Sequence, residues 1–193
     1  MENTNKEFDH LYEVVKSQSF LSMEALGGEI PFWIYPYKPQ KQKHVDIELI
    51  NLHNKLTKNN VKSLTVDLFE ISLQIINEQV GLKAVFNVEK DKTKDKLKSA
   101  LQSILNIHER FIPYIREQVI ASNCEVLFIK GVGSVFPFIR SHTVLNNLQS
   151  AIKDIPILMF FPGEYTGQSL NLFAKLKDDN YYRAFNILEY KLI

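Results

Sequence analysis

Two apolar runs, Val126-Leu-Phe-Ile129 and Ile155-Pro-Ile-Leu-Met-Phe-Phe161, decide the fold. Each leads at once into a polar segment that contains glycine. The first is Lys130-Gly-Val-Gly-Ser-Val-Phe-Pro-Phe-Ile-Arg-Ser-His142 and the second Pro162-Gly-Glu-Tyr-Thr-Gly167. Short continuous apolar runs bounded by turn signals read as parallel strands buried on both faces. In open α/β sheets, ligands and partners meet the loops at the carboxyl ends of such strands. The stretch from Glu125 to Arg183 therefore marks the expected working edge.

Helices and strands alternate outward from this stretch. Phe8, Leu11, Tyr12 and Val15 share one helix face. Gly27-Gly28 breaks that pattern, and Ile30-Pro-Phe-Trp-Ile-Tyr35 reads as a first strand, with Pro31 at its start and Pro36 and Pro39 ending it. Val45 to Asn59 is helical, with Leu49, Leu52, His53 and Leu56 inward. Leu64, Val66 and Leu68 alternate as a second strand, and Leu73, Ile76 and Val80 continue as a helix that stops at Gly81. The charged run Glu89 to Lys98 reads as a solvated loop opening into a helix. Leu97 to Ile115 carries one long helical pattern, which Pro113 should kink or divide.

Glu125 to Lys130 is strand three, and Ser141 is placed to cap a helix carrying Val144, Leu145, Leu148, Ala151 and Ile152. Ile155 to Phe161 is strand four. A short helix is expected over Ser169 to Lys177, and a fifth strand over Ala184 to Tyr190. The expectation is one α/β domain over residues 1–193. It has three layers, a mostly parallel sheet and helices on both faces, and no tight hairpin between strands. The spatial order of the strands stays open.

This order of elements resembles P-loop NTPases, but no Walker A loop follows the first strand. Tyr35-Pro-Tyr-Lys-Pro39 stands there instead, and its prolines remove backbone donors that would cradle a phosphate. Gly131-Val-Gly133 is a fragment of a dinucleotide loop whose third glycine is replaced by Phe136-Pro137. It reads as a tight turn needing positive φ, and no cofactor is expected. His10, His44, His53, His108 and His142 show neither i, i+4 pairing nor an adjacent cysteine, so no metal site is expected. His53 and His108 fall on apolar helix faces and read as satisfied core or edge histidines. Cys124 is the only cysteine, which excludes an intramolecular disulfide. It precedes an apolar run and is expected to be buried rather than catalytic.

Net charge is +1, with 23% charged and 45% hydrophobic residues, which argues against a strongly basic nucleic-acid footprint. The chain holds no signal-peptide core and no run of about 18 apolar residues. A soluble, cytoplasmic protein is expected.

The candidate functional residues are Arg140, His142, Glu164, Tyr165, Asn180, Tyr182 and Arg183. Arg140-Ser-His142 opens a helix, where an anion can sit, unless Arg140 pairs with a carboxylate such as Glu164. Tyr165, Tyr182 and Arg183 are residue types that anchor protein interfaces, although Asp179-Asn180 also suits a plain turn before the last strand.

Several segments carry a family resemblance. They are Gly28-Glu-Ile-Pro-Phe-Trp-Ile34, Gly131 to His142, Leu145-Asn-Asn-Leu148, Phe160-Phe-Pro-Gly-Glu-Tyr165 and Asp179-Asn-Tyr-Tyr-Arg-Ala-Phe185. In this order they resemble the BrxB family of bacterial BREX (bacteriophage exclusion) systems, from roughly Phe20 to the C-terminus. The resemblance implies a core component found beside a methyltransferase, a large ATPase and a PglZ phosphatase-like protein. It sets the chain in a pathway that blocks phage DNA replication and methylates host adenines. It supplies no catalytic residue.

Three functions then compete. The favoured one is a non-catalytic subunit that binds other BREX components, the PglZ-like protein first among them. The second is a nucleotide- or nucleic-acid-binding regulator; direct DNA binding is not favoured. The third, and weakest, is an enzyme using His142 and Glu164 as an acid–base pair.

Overall fold

The computed structural model describes residues 2–23, 32–177 and 184–192. Strands β1 (Phe32–Tyr37), β2 (Ser63–Asp67), β3 (Val126–Lys130), β4 (Ile157–Tyr165) and β7 (Phe185–Asn186) lie in the order β2-β3-β4-β1-β7. Neighbours along this path are parallel. Helices α1 (Glu2–Val15), α2 (Gln18–Leu21) and α3 (Gln42–Lys58) precede β2. Between β2 and β3 run α4 (Leu68–Gln79), α5 (Leu82–Asp91), α6 (Lys94–Leu105) and α7 (Ile112–Ser122), and α8 (Ser141–Ala151) joins β3 to β4. The α/β expectation holds, and the strand order is settled with β2 at one edge.

Alternation along the central strands makes two cores. Trp33, Tyr35, Tyr37, Val126, Phe128, Leu158 and Phe160 pack against Phe8, Leu11, Leu49, Leu52 and Leu56 of α1 and α3. The alternate residues Phe32, Ile34, Leu127, Ile129, Ile157, Met159 and Phe161 pack against α4, α7 and α8. Strands clothed on both faces need apolar side chains at every position, which is why these runs were continuous rather than alternating. On the first face Phe160 meets Phe8, Tyr35 and Phe128, with ring centroids 6.0, 5.5 and 5.8 Å away. The Tyr35 hydroxyl donates to Glu7 Oε2 at 2.7 Å and ties α1 to the sheet. Burial, followed by the Glu7 carboxylate, holds this phenol far above its usual range, so it stays a donor.

Several local expectations are corrected. Strand one continues through Pro36 to Tyr37. Pro36 pairs with Phe161 of β4, while β7 meets β1 only at Trp33 and Ile34, so no described strand needs a donor on the other side at this level. The expected start of that strand, Ile30-Pro31, lies outside the described residues. The buried face of α4 is Leu68, Ile71, Ser72, Ile75 and Ile76, with Val80 exposed past its end. The long helix divides at Asn106 (φ +26°) and a π-type turn over Ile107–Phe111, before Pro113 is reached. Pro113 sits in the first turn of α7, where its missing N–H costs nothing. The turn rotates His108 outward, so it is exposed rather than on an apolar face.

The largest correction falls after Phe161. The segment read as a short helix, Ser169 to Lys177, is instead β5 (Leu170–Leu172), a turn, and β6 (Leu176–Lys177). β4 runs on through Pro162 to Tyr165, and β5 pairs with it antiparallel. Phe173 and Ala174, at φ +57° and +56°, make the turn to β6. A Cβ on Gly163 would come within 2.1 Å of the Asn171 carbonyl oxygen, so the close approach of β5 requires glycine there. Hairpin pairing thus extends an otherwise parallel sheet. The expected fifth strand is reduced to two residues of β7 followed by a 3-10 turn, Ile187–Glu189.

Candidate functional site

The carboxyl ends of β1, β2 and β3 converge on a polar cluster. Asp67 ends β2 and opens α4. Its Oδ1 accepts from Phe69 N at 2.9 Å and Glu70 N at 3.4 Å, the N-cap pattern that satisfies orphan helix donors. Lys130 ends β3 directly opposite Asp67 in the register. Its Nζ lies 3.3 Å from Asp67 Oδ2 and 3.3 Å from Asp46 Oδ1 of α3. Asp46 Oδ2 accepts from Gln42 Nε2 at 3.0 Å, and Gln42 Oε1 accepts from the Tyr37 hydroxyl at the end of β1. Burial draws the Lys130 ammonium down, but Asp46 and Asp67 together raise it above its ordinary value.

Sequence reasoning missed this cluster. Its signals were present: a charged residue ends two successive strands, and Asp67 precedes a helix with Glu70 three residues on. Their convergence depends on topology, because Asp46 and Lys130 are 84 positions apart.

Gly131-Val-Gly133 has a structural role. Gly131 has φ +81°, and a Cβ there would lie 2.3 Å from Asp67 Oδ1. Gly133 leaves room for the Phe173 ring, which a Cβ would meet at 2.7 Å. The tight turn foreseen from the sequence is therefore real at Gly131, and at Gly133 the reason is packing.

The named candidates divide. Arg140 is the N-cap of α8, one residue earlier than the Ser141 cap expected, and its side chain makes no capping bond. It is exposed and makes no ion pair among the described residues, so the pairing with Glu164 is not formed. Arg140 borders a cavity of about 180 Å³ lined by Gln102, Leu105, Ile107, Phe138 and Thr143. His142 is half-buried in the first turn of α8. Glu164 is exposed on the extension of β4, opposite Asn171 of β5. Tyr165 donates its hydroxyl to the Ala184 carbonyl and fastens the C-terminal segment to β4. Asn180, Tyr182 and Arg183 lie outside the described residues. Cys124 is buried as expected, and burial pushes its thiol up, away from the reactive thiolate. His53 is a satisfied edge histidine, its Nδ1 lying 2.8 Å from Ser63 Oγ.

Lys130→Met leaves two carboxylates facing each other with no cation between them. Stability should fall by about 1–2 kcal/mol, a half-buried case between the exposed and buried limits. Urea unfolding of the two proteins at pH 7 checks this. The raised Lys130 value also sets a sign. Its contribution is complete below the ordinary lysine value of about 10.4 and is lost as pH rises through the higher folded value. The gap between native protein and Lys130→Met should therefore narrow as pH rises through that alkaline window.

Among the described residues no helix is long and apolar enough to cross a membrane, and no group of three or more His, Cys, Asp or Glu residues is placed to hold a metal ion. A model of the family described as BREX protein BrxB matches residues 64–187. The chain is 36% identical to the BREX protein BrxB of Bacillus cereus, an alignment covering 98% of this chain and 100% of that protein. It is 29% identical to the BREX protein BrxB of Escherichia coli strain HS, over 90% of this chain and 86% of the relative. No solved structure matches the chain.

Proposed function

The chain belongs to the BrxB family, and from that premise we propose that it is a non-catalytic core subunit of a BREX phage-defence system. It acts through protein–protein interaction, with the PglZ-like component as its direct partner, and serves both phage restriction and host DNA methylation. One observation carries the non-catalytic reading. At the strand ends, where an α/β sheet presents its chemistry, Tyr37, Gln42, Asp46, Lys130 and Asp67 bond to one another. These bonds hold β1, β2, β3 and two helix starts in place. The β1–α3 connection, where an NTPase loop would lie, holds Lys38 and a 3-10 turn over Pro39–Lys41. What faces outward is a different set, Arg140 beside its cavity and Glu164 on the β4 extension. Exposed charges of both signs on firmly packed elements suit a protein partner, setting its orientation and rate of encounter.

Charge reversal tests the surface. Arg140→Glu combined with Glu164→Lys changes two exposed side chains with no ion pair among the described residues, so the fold should be kept. Affinity for the PglZ-like component should drop about tenfold or more, with steeper loss at low salt. Unchanged affinity in a well-folded double variant removes these two residues from the interface.

A second reading, nucleotide or nucleic-acid binding, draws on the Arg140 guanidinium at the start of the 11-residue helix α8. It predicts DNA binding that weakens steeply with salt or a thermal shift with nucleotide, and flat responses to both end it.

A further inference from the structure

Among the described residues β2 is an edge strand, and it is partly exposed. Among those residues it pairs only with β3, and its burial is partial at Ser63, Leu64, Thr65 and Asp67, while every residue of β3 except the last is buried. The backbone direction can be assigned. The Lys62 carbonyl accepts from Glu125 N at 2.7 Å, on the β3 side. Successive residues of a strand direct their N–H and C=O groups to opposite edges, so Leu64 and Val66 serve β3 and Ser63 and Thr65 face outward. Edge strands are commonly blunted by proline, lysine or a bulge. Ser63–Asp67 contains neither residue type, and its register with β3 is unbroken.

The ground beside this edge is shaped to receive something. Two adjoining clefts of about 370 and 410 Å³ run along it, sharing His53 and Ser63. Asp46, Ile50 and His53 form the stripe of α3 that borders the strand. Ile50 is 62% exposed and Ile47, one turn away, 48%. Charge is distributed by end. Lys58 and Lys62 are exposed near the start of β2, with Glu125 one strand further in. Asp46, Asp67 and Glu70 mark its finish, with Lys130 among them.

From this we infer that β2 pairs antiparallel with β2 of a second copy of the chain, Thr65 lying near the two-fold axis. An antiparallel partner lays its basic start against this acidic finish, and the two-fold repeats the match at the other end. The same axis sets Ile50 of each copy beside its counterpart, with the outward N–H and C=O groups of Thr65 meeting those of the other Thr65 and those of Ser63 meeting those of Asp67. A two-fold contact requires such a self-complementary patch. A parallel partner strand of this sequence would instead set like charges together. The inference does not draw on Arg140 or Glu164, neither of which lines these clefts.

Light-scattering mass of the purified full chain, taken at rising concentration, is the test. The expected value approaches twice the chain mass of 22.4 kDa. Ile50→Glu, at an exposed helix position, should return it to 22.4 kDa at the same concentration. Thr65→Pro, which deletes an outward donor without touching the β3 ladder, should do the same. A native chain that stays at 22.4 kDa throughout overturns the inference. So does a dimer that survives both substitutions. A monomer whose Thr65→Pro variant loses affinity for another BREX component would also overturn it, assigning the edge to that partner's strand.

Discussion

Phe160→Ala should lower stability by about 4 kcal/mol. The side chain is fully buried at the centre of β4, the strand flanked by β3 and β1. Its ring touches Phe8 of α1, Tyr35 of β1 and Phe128 of β3, so one substitution loosens a helix and two strands together. The loss combines the transfer of a buried aromatic with a cavity that close-packed neighbours cannot fill. Each ring pair adds about 0.5–1.5 kcal/mol beyond area. Against a usual total of about 5–15 kcal/mol, this leaves a marginal domain. The melting temperature should fall by about 10 °C, at roughly 2–4 °C per kcal/mol for a chain of this size. Phe160→Leu keeps most of the volume and should cost about 1–2 kcal/mol. Equal losses for Ala and Leu would mean that ring contacts, and not cavity volume, dominate. A loss under about 1 kcal/mol for Ala would contradict this account of the core.

Gly131→Ala should cost about 2–3 kcal/mol although it removes no contact. The left-handed backbone costs any L side chain about 1–2 kcal/mol. The added Cβ also claims space held by Asp67 Oδ1, 2.3 Å away, and pushes that carboxylate off the Phe69 and Glu70 amides. Loss of a helix cap costs about 0.5–2 kcal/mol more. These two origins can be separated. Asp67→Ala alone loses the cap and the Lys130 partner. In the double variant the clash is gone, so its cost should fall short of the sum of the singles by about 1 kcal/mol. Strict additivity would show that the glycine acts through its own backbone alone.

Legibility in the sequence followed how locally each feature is determined. β3 and the body of β4 were plain, because burial on both faces leaves a run of apolar side chains with no exposed position. α1, α3 and α8 were plain for the complementary reason: one buried stripe gives a helical period. The β5–β6 hairpin was not. Leu170, Leu172 and Leu176 among Ala and Lys suit a helix locally, and the strand exists because Gly163 lets Asn171 approach and Phe173-Ala174 turn in the left-handed region. Those are tertiary facts. The break at Asn106 was masked by the more familiar signal of Pro113. Of the candidate residues, Arg140 at a helix start and Glu164 in the segment after Phe161 stand exposed in the structure, while the Asp46–Lys130–Asp67 cluster was not foreseen. Its members come from three elements, and only the parallel register of β2 and β3 brings two of them face to face.

The family also constrains how function is tested. Membership of a BREX system implies other BREX components, so the informative test is made in their presence. The central claim, that it serves as an interaction subunit, is reached most directly by expressing it with the other genes of its BREX system. The measurement is the mass and composition of what a tag on this chain recovers at gentle salt. A defined complex with the PglZ-like component, lost on Arg140→Glu with Glu164→Lys, is the predicted result. Recovery of this chain with no other BREX component, whether as monomer or as dimer, would contradict it.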